Sequence, residues 1–189
     1  MKIILPKTSP LINRKLPFFF LAGPVLGGGG WQTEMCLALQ KEVRDKLNFL
    51  DFYVAVPCRW ESNAELSRFF LNIPTTFKSQ TVWERRTMKE SAQGNNGCLI
   101  FWLACESKTE PRTGEKPYAC DTRGEIGEWR TRKAYEGEKV KLVIGADPNF
   151  PGLHVIKRNF NDQFNHDYHF PETIRDTAQE AVKKVTRQS

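Results

Sequence analysis

The chain has 189 residues, of which 40% are hydrophobic and 12% aromatic. This composition allows a substantial buried core, so it excludes an intrinsically disordered protein. It favours a single domain over residues 1–189, with an N-terminal extension at 1–16 and a C-terminal helix within 170–189. The formal net charge is +6, but 28 basic residues are scattered among 22 acidic ones. Because the sequence has no basic arm or stripe, we expect no nucleic-acid partner.

The sequence shows neither a targeting signal nor a metal motif. No apolar run approaches the roughly 20 residues that a membrane-spanning helix needs, and residues 1–16 lack the pattern of a secretory signal. We therefore expect a cytoplasmic protein without a membrane partner. The 5 cysteines include no C-x-x-C pair, which is typical of reduced thiols. His166 and His169 have no cysteine or third histidine close to them in sequence, so we expect no metal.

The most distinctive segment is a short apolar run that ends in glycines. Phe18–Ala22 is predicted to form a buried strand, Gly27–Gly30 follow, and Trp31 opens a helical pattern. Without side chains in the turn, backbone N–H groups can approach a bound polar group closely. The segment satisfies neither the dinucleotide-binding motif nor the phosphate-loop motif. The glycines therefore indicate either a ligand-binding loop or a flexible surface turn.

Strands and helices alternate along the rest of the chain. Two long polar connections, residues 58–80 and 104–121, interrupt them, and connections of such length are typically functional. We expect the first connection to be a lid or rim. The hydrophobic spacing predicts these elements in chain order: a helix over about 31–47, a strand at 52–56, a helical turn around 64–70, a helix from Thr81 or Val82 to about 93, a strand at 98–103, a helix starting within 121–129, strands at 141–145 and 154–157, and a last helix with Pro171 and Glu172 in its first turn.

Strands separated by helices predict parallel pairing with right-handed crossovers. We expect an α/β fold with an open parallel five-stranded sheet and helices on both faces. Such sheets bind ligands at the carboxyl ends of their strands. Three segments follow strands there: the glycine loop, Cys58-Arg59-Trp60 and residues 104–125. Their convergence favours a ligand site.

Glu125 is open to two interpretations. Thr122-x-x-Glu125 fits a capping box, in which both side chains only satisfy backbone N–H groups of a helix start. A carboxylate in a first helical turn also lies near the positive end of the helix dipole, which favours the ionised form and suits a nucleophile.

Short motifs in a characteristic order resemble nucleoside 2-deoxyribosyltransferases. The resemblance covers most of the region from Phe18 to Lys157. It rests on a strand end followed by Trp-Gln, a Trp-Glu helix before an apolar strand, and a Thr-x-x-Glu-Ile-Gly helix start. In this sequence these are Phe20–Pro24 with Trp31-Gln32, Trp83-Glu84 before Leu99–Trp102, and Thr122 to Gly127.

The resemblance implies a flavodoxin-like homo-oligomer that passes a deoxyribosyl group between nucleobases, as in nucleoside metabolism and purine salvage, without metal or cofactor. Its nucleophile would be Glu125, which would form a covalent glycosyl-enzyme. A second attack at C1′ would then give net retention. The partners implied are small-molecule nucleosides and free nucleobases, with the sites near subunit interfaces.

The resemblance also implies acids that protonate the leaving base, and the closest ones here are Glu84 and Asp121. Glu84 also fits a solvated helix residue beside Arg85. Tryptophans near strand ends suit either base stacking or simple packing, and Trp31 is the preferred pocket residue. His154 takes the place of an asparagine lent to a neighbouring subunit, or is a surface histidine. The full set of candidate substrate-binding residues is Gly23, Gly30, Trp31, Gln32, Arg59, Trp60, Trp102, Arg123 and His154.

Two other functions remain open at this stage. A nucleoside or nucleotide N-glycosidase would use the same glutamate with water as the acceptor, and Arg59, Arg123 and the glycine loop would then hold a 5′-phosphate. A non-catalytic nucleotide-binding module would use Glu125 only as a helix cap.

Overall fold

The structure is a computed structural model that describes residues 1–47, 51–58, 65–165 and 168–186. Within these ranges, five strands form one sheet in which every pairing is parallel. The strands are β1 (Lys2–Ile4), β2 (Phe18–Ala22), β3 (Tyr53–Ala55), β4 (Gly97–Leu103) and β5 (Leu142–Ala146). The helices are α1 (Trp31–Leu47), α2 (Gln80–Gln93), α3 (Cys120–Glu136), α4 (Leu153–Gln163) and α5 (Ile174–Thr186), with 3₁₀ turns at Ser67–Phe69 and Gly137–Lys139.

The strand order is β1-β3-β2-β4-β5. From β2 the chain passes through α1 to β3 on one side, and then through α2 to β4 on the other side of β2. The direction of winding therefore reverses between β2 and β4, which pair from Phe18↔Gly97 to Ala22↔Phe101. This arrangement confirms the predicted open α/β sheet, which is consistent with a flavodoxin-like fold, and such a reversal is where these sheets bind ligands.

Both faces of the sheet are buried, because successive side chains of each strand point to opposite sides. Phe19 and Leu21 of β2 belong to one hydrophobic cluster, together with buried residues of α1 and α5. Phe18 and Phe20 belong to a second cluster with residues of α2, α3 and α4. Helices thus cover both faces, as predicted.

One of the five predicted strands is wrong, and another was not foreseen. Residues 154–157 lie in α4, which buries Leu153, Ile156 and Phe160 along one face. The missing strand is β1, inside the segment 1–16 that was predicted to be an extension, where Ile3 pairs with Val54.

Helix starts also differ by a few residues from the prediction. Ser79 caps α2, since its hydroxyl accepts a bond from the Val82 N–H at 3.4 Å. Pro171 and Glu172 were predicted in the first turn of the last helix, but they precede it, because α5 begins at Ile174. The predicted turn around 64–70 corresponds to Ser67–Phe69. Within the described ranges, the helices are too short or too polar to cross a bilayer.

Candidate active site

A cavity of about 660 Å³ opens at the carboxyl ends of β2 and β3. Its walls are the turn after β2, Pro57 and Cys58 after β3, the first turns of α2 and α3, and the connection from β4 to α3. This position matches the expected convergence of strand ends. A second cavity of about 620 Å³ lies between residues 9–16 and the end of α2, and its acidic lining consists of Glu90.

Three carboxyl groups line the first cavity: Glu84 from α2, and Asp121 and Glu125 from α3. The Glu125 carboxyl makes no hydrogen bond with any residue in the described part of the chain. Burial raises the pKa of Glu125 to about 7, and the nearby charges of Glu84 and Asp121 contribute to the same shift. Like charges and partial desolvation both disfavour a carboxylate, so Glu125 holds its proton up to neutral pH.

Glu125 does not act as a helix cap. The N-cap of α3 is Ala119, which has a left-handed φ of 56° and no capping side chain. Thr122 is buried within the first turn, and Glu125 follows in the second turn. The expected effect of the helix dipole is also wrong: that effect fades beyond the first turn, and the pKa of Glu125 is raised rather than lowered.

Glu84 is the best-positioned of the other two acids. The Gln80 amide donates to Glu84 Oε1 and to the Pro57 carbonyl, each at 2.9 Å, and so ties α2 to the end of β3. Burial raises the pKa of Glu84 as well, against the hydrogen bond from Gln80. Asp121 is exposed and lies 4.0 Å from the Lys116 ammonium. Its charge contributes to the raised pKa values of Glu84 and Glu125.

The glycine segment forms the wall of the cavity on the side of α1. Gly23 and Gly30 line it, as does Gln32. Gly23 has a φ of +149°, and a Cβ there would lie 2.3 Å from the Trp102 carbonyl oxygen. Gln32 is 2% exposed, and its amide nitrogen has no hydrogen-bond partner among the described residues.

The tryptophans that the structure describes near this site pack in the core. Trp31 and Trp102 are 4% and 6% exposed and belong to one hydrophobic cluster. The Trp31 indole N–H donates to the Pro24 carbonyl at 2.9 Å, so the ring supports the turn from beneath instead of lining the cavity. Arg59 and Trp60 lie outside the described residues.

Arg123 and His154 lie apart from the cavity. The Arg123 guanidinium donates to the Pro151 carbonyl at 2.6 Å and stacks over the Phe150 ring at 5.0 Å. It therefore fixes the connection into α4. His154 is exposed. It lies on the helix α4 and not on the predicted strand at 154–157.

Two polar lining residues, Gln80 and Arg112, were not among the candidate site residues, and Cys58 was predicted only as part of a segment at this edge of the sheet. Arg112 belongs to the polar connection from β4 to α3, whose length was the signal that could have drawn attention to it. Cys58 follows Pro57, just beyond the end of β3. Burial raises the pKa of its thiol to about 12, so at neutral pH Cys58 is not a thiolate nucleophile.

No protein-family model and no curated protein matches this chain. Among the described residues, no group of three or more histidine, cysteine or acidic side chains is arranged to hold a metal ion. We therefore infer the chemistry of the site from its geometry. One cavity contains the Glu125 carboxyl, which has no hydrogen bond to the described residues, a second acid, Glu84, and a wall lined by Gly23 and Gly30.

Proposed function

We propose that this protein cleaves the N-glycosidic bond of a nucleoside and transfers the 2-deoxyribosyl group to another nucleobase. The observation that carries the proposal is the position of the Glu125 carboxyl. It lines the cavity where the winding direction of the sheet reverses, and it makes no hydrogen bond to the described residues. A second acid, Glu84, lines the same cavity. Such a pair supplies a nucleophile and a proton donor, the two groups that glycosyl transfer with retention requires.

In the first step, a carboxylate oxygen of Glu125 attacks C1′ of the sugar. The C1′–N bond breaks and its electron pair goes to the base nitrogen, which takes the proton from the Glu84 carboxyl. A glycosyl ester on Glu125 and a neutral free base result, and the configuration at C1′ is inverted.

In the second step, a ring nitrogen of an acceptor base attacks C1′ and gives its proton to the Glu84 carboxylate. The ester bond breaks, and Glu125 leaves as a carboxylate. Two inversions give net retention, and the enzyme returns to its starting protonation state.

The charges in the cavity support the presence of one proton on this pair of acids. Burial raises the pKa values of both Glu84 and Glu125, and the charge of Asp121 adds to both shifts. The charge of Glu84 raises the pKa of Glu125 further. A cluster of this kind retains a proton at neutral pH, and Glu125 holds it in the resting site. In the proposed reactive form that proton lies on Glu84 instead, and Glu125 is ionised. Gln80 holds the Glu84 carboxyl at 2.9 Å and so keeps the donor in place.

The resemblance to nucleoside 2-deoxyribosyltransferases adds further support, because the motifs that carry it include Glu84, Glu125 and the strand end Phe20–Pro24. On the same basis we propose nucleosides and free nucleobases as partners and a homo-oligomer as the assembly. The proposed steps need no metal or organic cofactor.

Base exchange tests the proposal. The protein is incubated with deoxyadenosine and hypoxanthine, and the products are separated by chromatography. Deoxyinosine with free adenine supports the transferase. Free deoxyribose without deoxyinosine would mean a hydrolase in which water replaces the second base, and no product from either route would favour a binding module.

Two substitutions on the same helix make the test specific. Glu125→Gln should abolish exchange, since an amide cannot form the ester. Glu128→Gln is the matched control, because Glu128 is paired with Arg132 at 2.9 Å on the helix surface and affects Glu125 only through its charge. This variant should retain exchange activity. Equal activity of both variants would contradict the proposal.

A further inference from the structure

The second cavity, of about 620 Å³, lies far from the acids of the candidate active site. It opens where β2 and β4 begin, at Phe18 and Gly97. Because these strands are parallel, their amino ends lie at the edge of the sheet opposite to the candidate active site. Ligand pockets commonly have volumes of about 300–1,000 Å³ and a mostly apolar lining with a few polar groups. The size of this cavity therefore suits a small molecule.

One part of the lining is apolar. Phe18 is 6% exposed, and Ile12 and Leu16 are partly buried against the same hydrophobic cluster. Leu11 also lines the cavity, and it is 99% exposed. A ligand with an apolar body would cover these residues and remove apolar area from water, which favours binding.

The charged part of the lining is predominantly basic. Among the described residues that line the cavity, the basic ones are Arg14, Arg86 and Lys89, and the acidic one is Glu90. Arg86 Nε lies 2.9 Å from Glu90 Oε1, so these two charges compensate each other. The side chains of Arg14 and Lys89 make neither an ion pair nor a hydrogen bond within the part of the chain that the structure describes. The cavity therefore presents two cations without a partner from those residues.

The segment that carries Arg14 is fastened to the chain that follows α2. The Phe18 N–H donates to the Asn96 carbonyl at 2.9 Å. The Asn96 side-chain amide donates to the carbonyl oxygens of Lys15 at 3.1 Å and of Arg14 at 3.3 Å. These bonds keep two walls of the cavity together, with Arg14 on one wall and Lys89 of α2 on the other.

We propose that this cavity binds an organic anion with an apolar body, of the class of aryl carboxylates and sulfonates. The charged group of the ligand meets Arg14 and Lys89, and its apolar body lies against Leu11, Leu16 and Phe18. Exposed cations alone attract anions weakly, because water screens both charges. The apolar lining beside them adds burial, so an anion that also has an apolar body binds better than an inorganic one.

A matched pair of fluorescent probes tests the inference. One is 8-anilinonaphthalene-1-sulfonate, and the other is N-phenyl-1-naphthylamine, which has the same aromatic body without the charge. We expect saturable binding of the sulfonate that is at least about 10-fold tighter than binding of the neutral probe and that weakens with added salt. A sulfonate that does not bind saturably, or equal affinities for the two probes, would overturn the inference.

Substitutions in the lining locate the sulfonate. Arg14→Ala and Lys89→Ala should each weaken its binding about 3- to 10-fold and leave the neutral probe unchanged, since each removes one charge. Both side chains are exposed, so the variants should keep the fold. Lys41→Ala is the control, because Lys41 is an exposed lysine of α1 that lines neither cavity. Parent affinity in both Arg14→Ala and Lys89→Ala would place the sulfonate elsewhere and contradict the assignment.

Sedimentation of the parent chain and of Leu11→Ala distinguishes a small anion from a second copy of the chain. If the ligand is a small anion, the two proteins have the same oligomeric state, and Leu11→Ala binds both probes more weakly because apolar contact is lost. If Leu11→Ala dissociates an oligomer, this surface is an interface between copies and the inference is wrong. The two cavities share no described lining residue, and these measurements do not involve base exchange. Failure of the proposed function would therefore leave this inference intact.

Discussion

Glu125 links the chemistry of the site to the stability of the fold. Its pKa is about 7 in the folded chain, against an ordinary value of 4.5. A raised pKa means that the folded state binds the proton more tightly than the unfolded state does. The resulting stabilisation is fully present below the unfolded pKa and is lost as the pH rises through the folded one. At pH 8 the ionised carboxyl costs the folded chain about 2–3 kcal/mol relative to pH 4.

A single substitution should therefore separate stability from activity. Glu125→Gln removes the buried charge, so it should raise the free energy of unfolding at pH 8 by up to about 2 kcal/mol and change it little at pH 4. Denaturant titrations at the two pH values measure the difference, and the base-exchange assay should find the variant inactive. A loss of stability at pH 8 would show that the ionised form is favoured in the fold.

The neighbouring charges should shift the pH dependence of the rate in opposite directions. The acidic limb of kcat/KM follows ionisation of Glu125, which Glu84 opposes and Arg85 favours. Glu84→Gln should move that limb to lower pH and Arg85→Ala to higher pH, each by less than about one unit. Glu84→Gln should also lower the rate, most of all for bases that leave poorly. If the acidic limb of kcat/KM kept its position in both variants, the titrating group would not be Glu125.

At the scale of elements, the turn after β2 places the cavity wall against the sheet. Gly23 lies where a Cβ would meet the Trp102 carbonyl at 2.3 Å and the Trp31 ring at 2.8 Å. Gly30 has a φ of +72° but open space around it. Close packing therefore requires a glycine at position 23, whereas backbone conformation favours one at position 30.

Alanine substitutions should distinguish these constraints. Gly23→Ala should lower the free energy of unfolding by at least about 2 kcal/mol, because backbone atoms must move to admit the methyl group. Gly30→Ala should cost about 1 kcal/mol, which is the conformational term alone. Thermal or denaturant unfolding measures both. Similar losses would show that the turn is mobile enough to absorb the contact at Gly23.

The elements that sequence predicted best are those with a long periodic pattern or an uninterrupted apolar run. The helix at 31–47 was predicted within its observed bounds, and Gly97–Leu103 is almost entirely apolar. Prediction from the hydrophobic pattern failed where the apolar segment was short. Three residues at Lys2–Ile4 form a strand only because β3 is there to pair with them. In α4 the β-branched Val155 and Ile156 suggested a strand, although Leu153, Ile156 and Phe160 follow helical spacing.

The candidate site was predictable to the extent that topology determines it. Parallel strands bring their carboxyl ends to one edge, so topology alone placed the segment 104–125 beside the glycine loop. The roles of Glu84, Asp121 and Glu125 came from the resemblance to nucleoside 2-deoxyribosyltransferases. Side-chain direction could not be predicted, since it depends on tertiary packing. Trp31 therefore turned out to lie beneath the turn, and the position of Arg112 depends on how residues 104–119 fold against the glycines.

At the scale of the whole molecule, the N-terminal segment completes the sheet. Ile3 and Ile4 of β1 are 0% and 1% exposed and pack on opposite faces. The same segment contains Leu11, which is 99% exposed. These apolar residues therefore make very different contributions to the buried core.

Truncation of these side chains should reflect that contrast. Ile4→Ala should lower the free energy of unfolding by about 2–5 kcal/mol through lost burial and a residual cavity. Leu11→Ala should stay within about 0.5 kcal/mol of the parent. Denaturant unfolding of both variants provides the comparison. If Ile4→Ala proved as mild as Leu11→Ala, β1 would not be an integral strand of the sheet.

The central claim is that Glu125 bonds covalently to C1′ of a deoxyribose. The most direct test is to mix the protein with a deoxynucleoside, quench in acid within the first turnover, and map the peptides by mass spectrometry. We expect a deoxyribosyl ester on the peptide that contains Glu125, and its absence from Glu125→Gln. Turnover without any adduct, or an adduct on another residue, would contradict it.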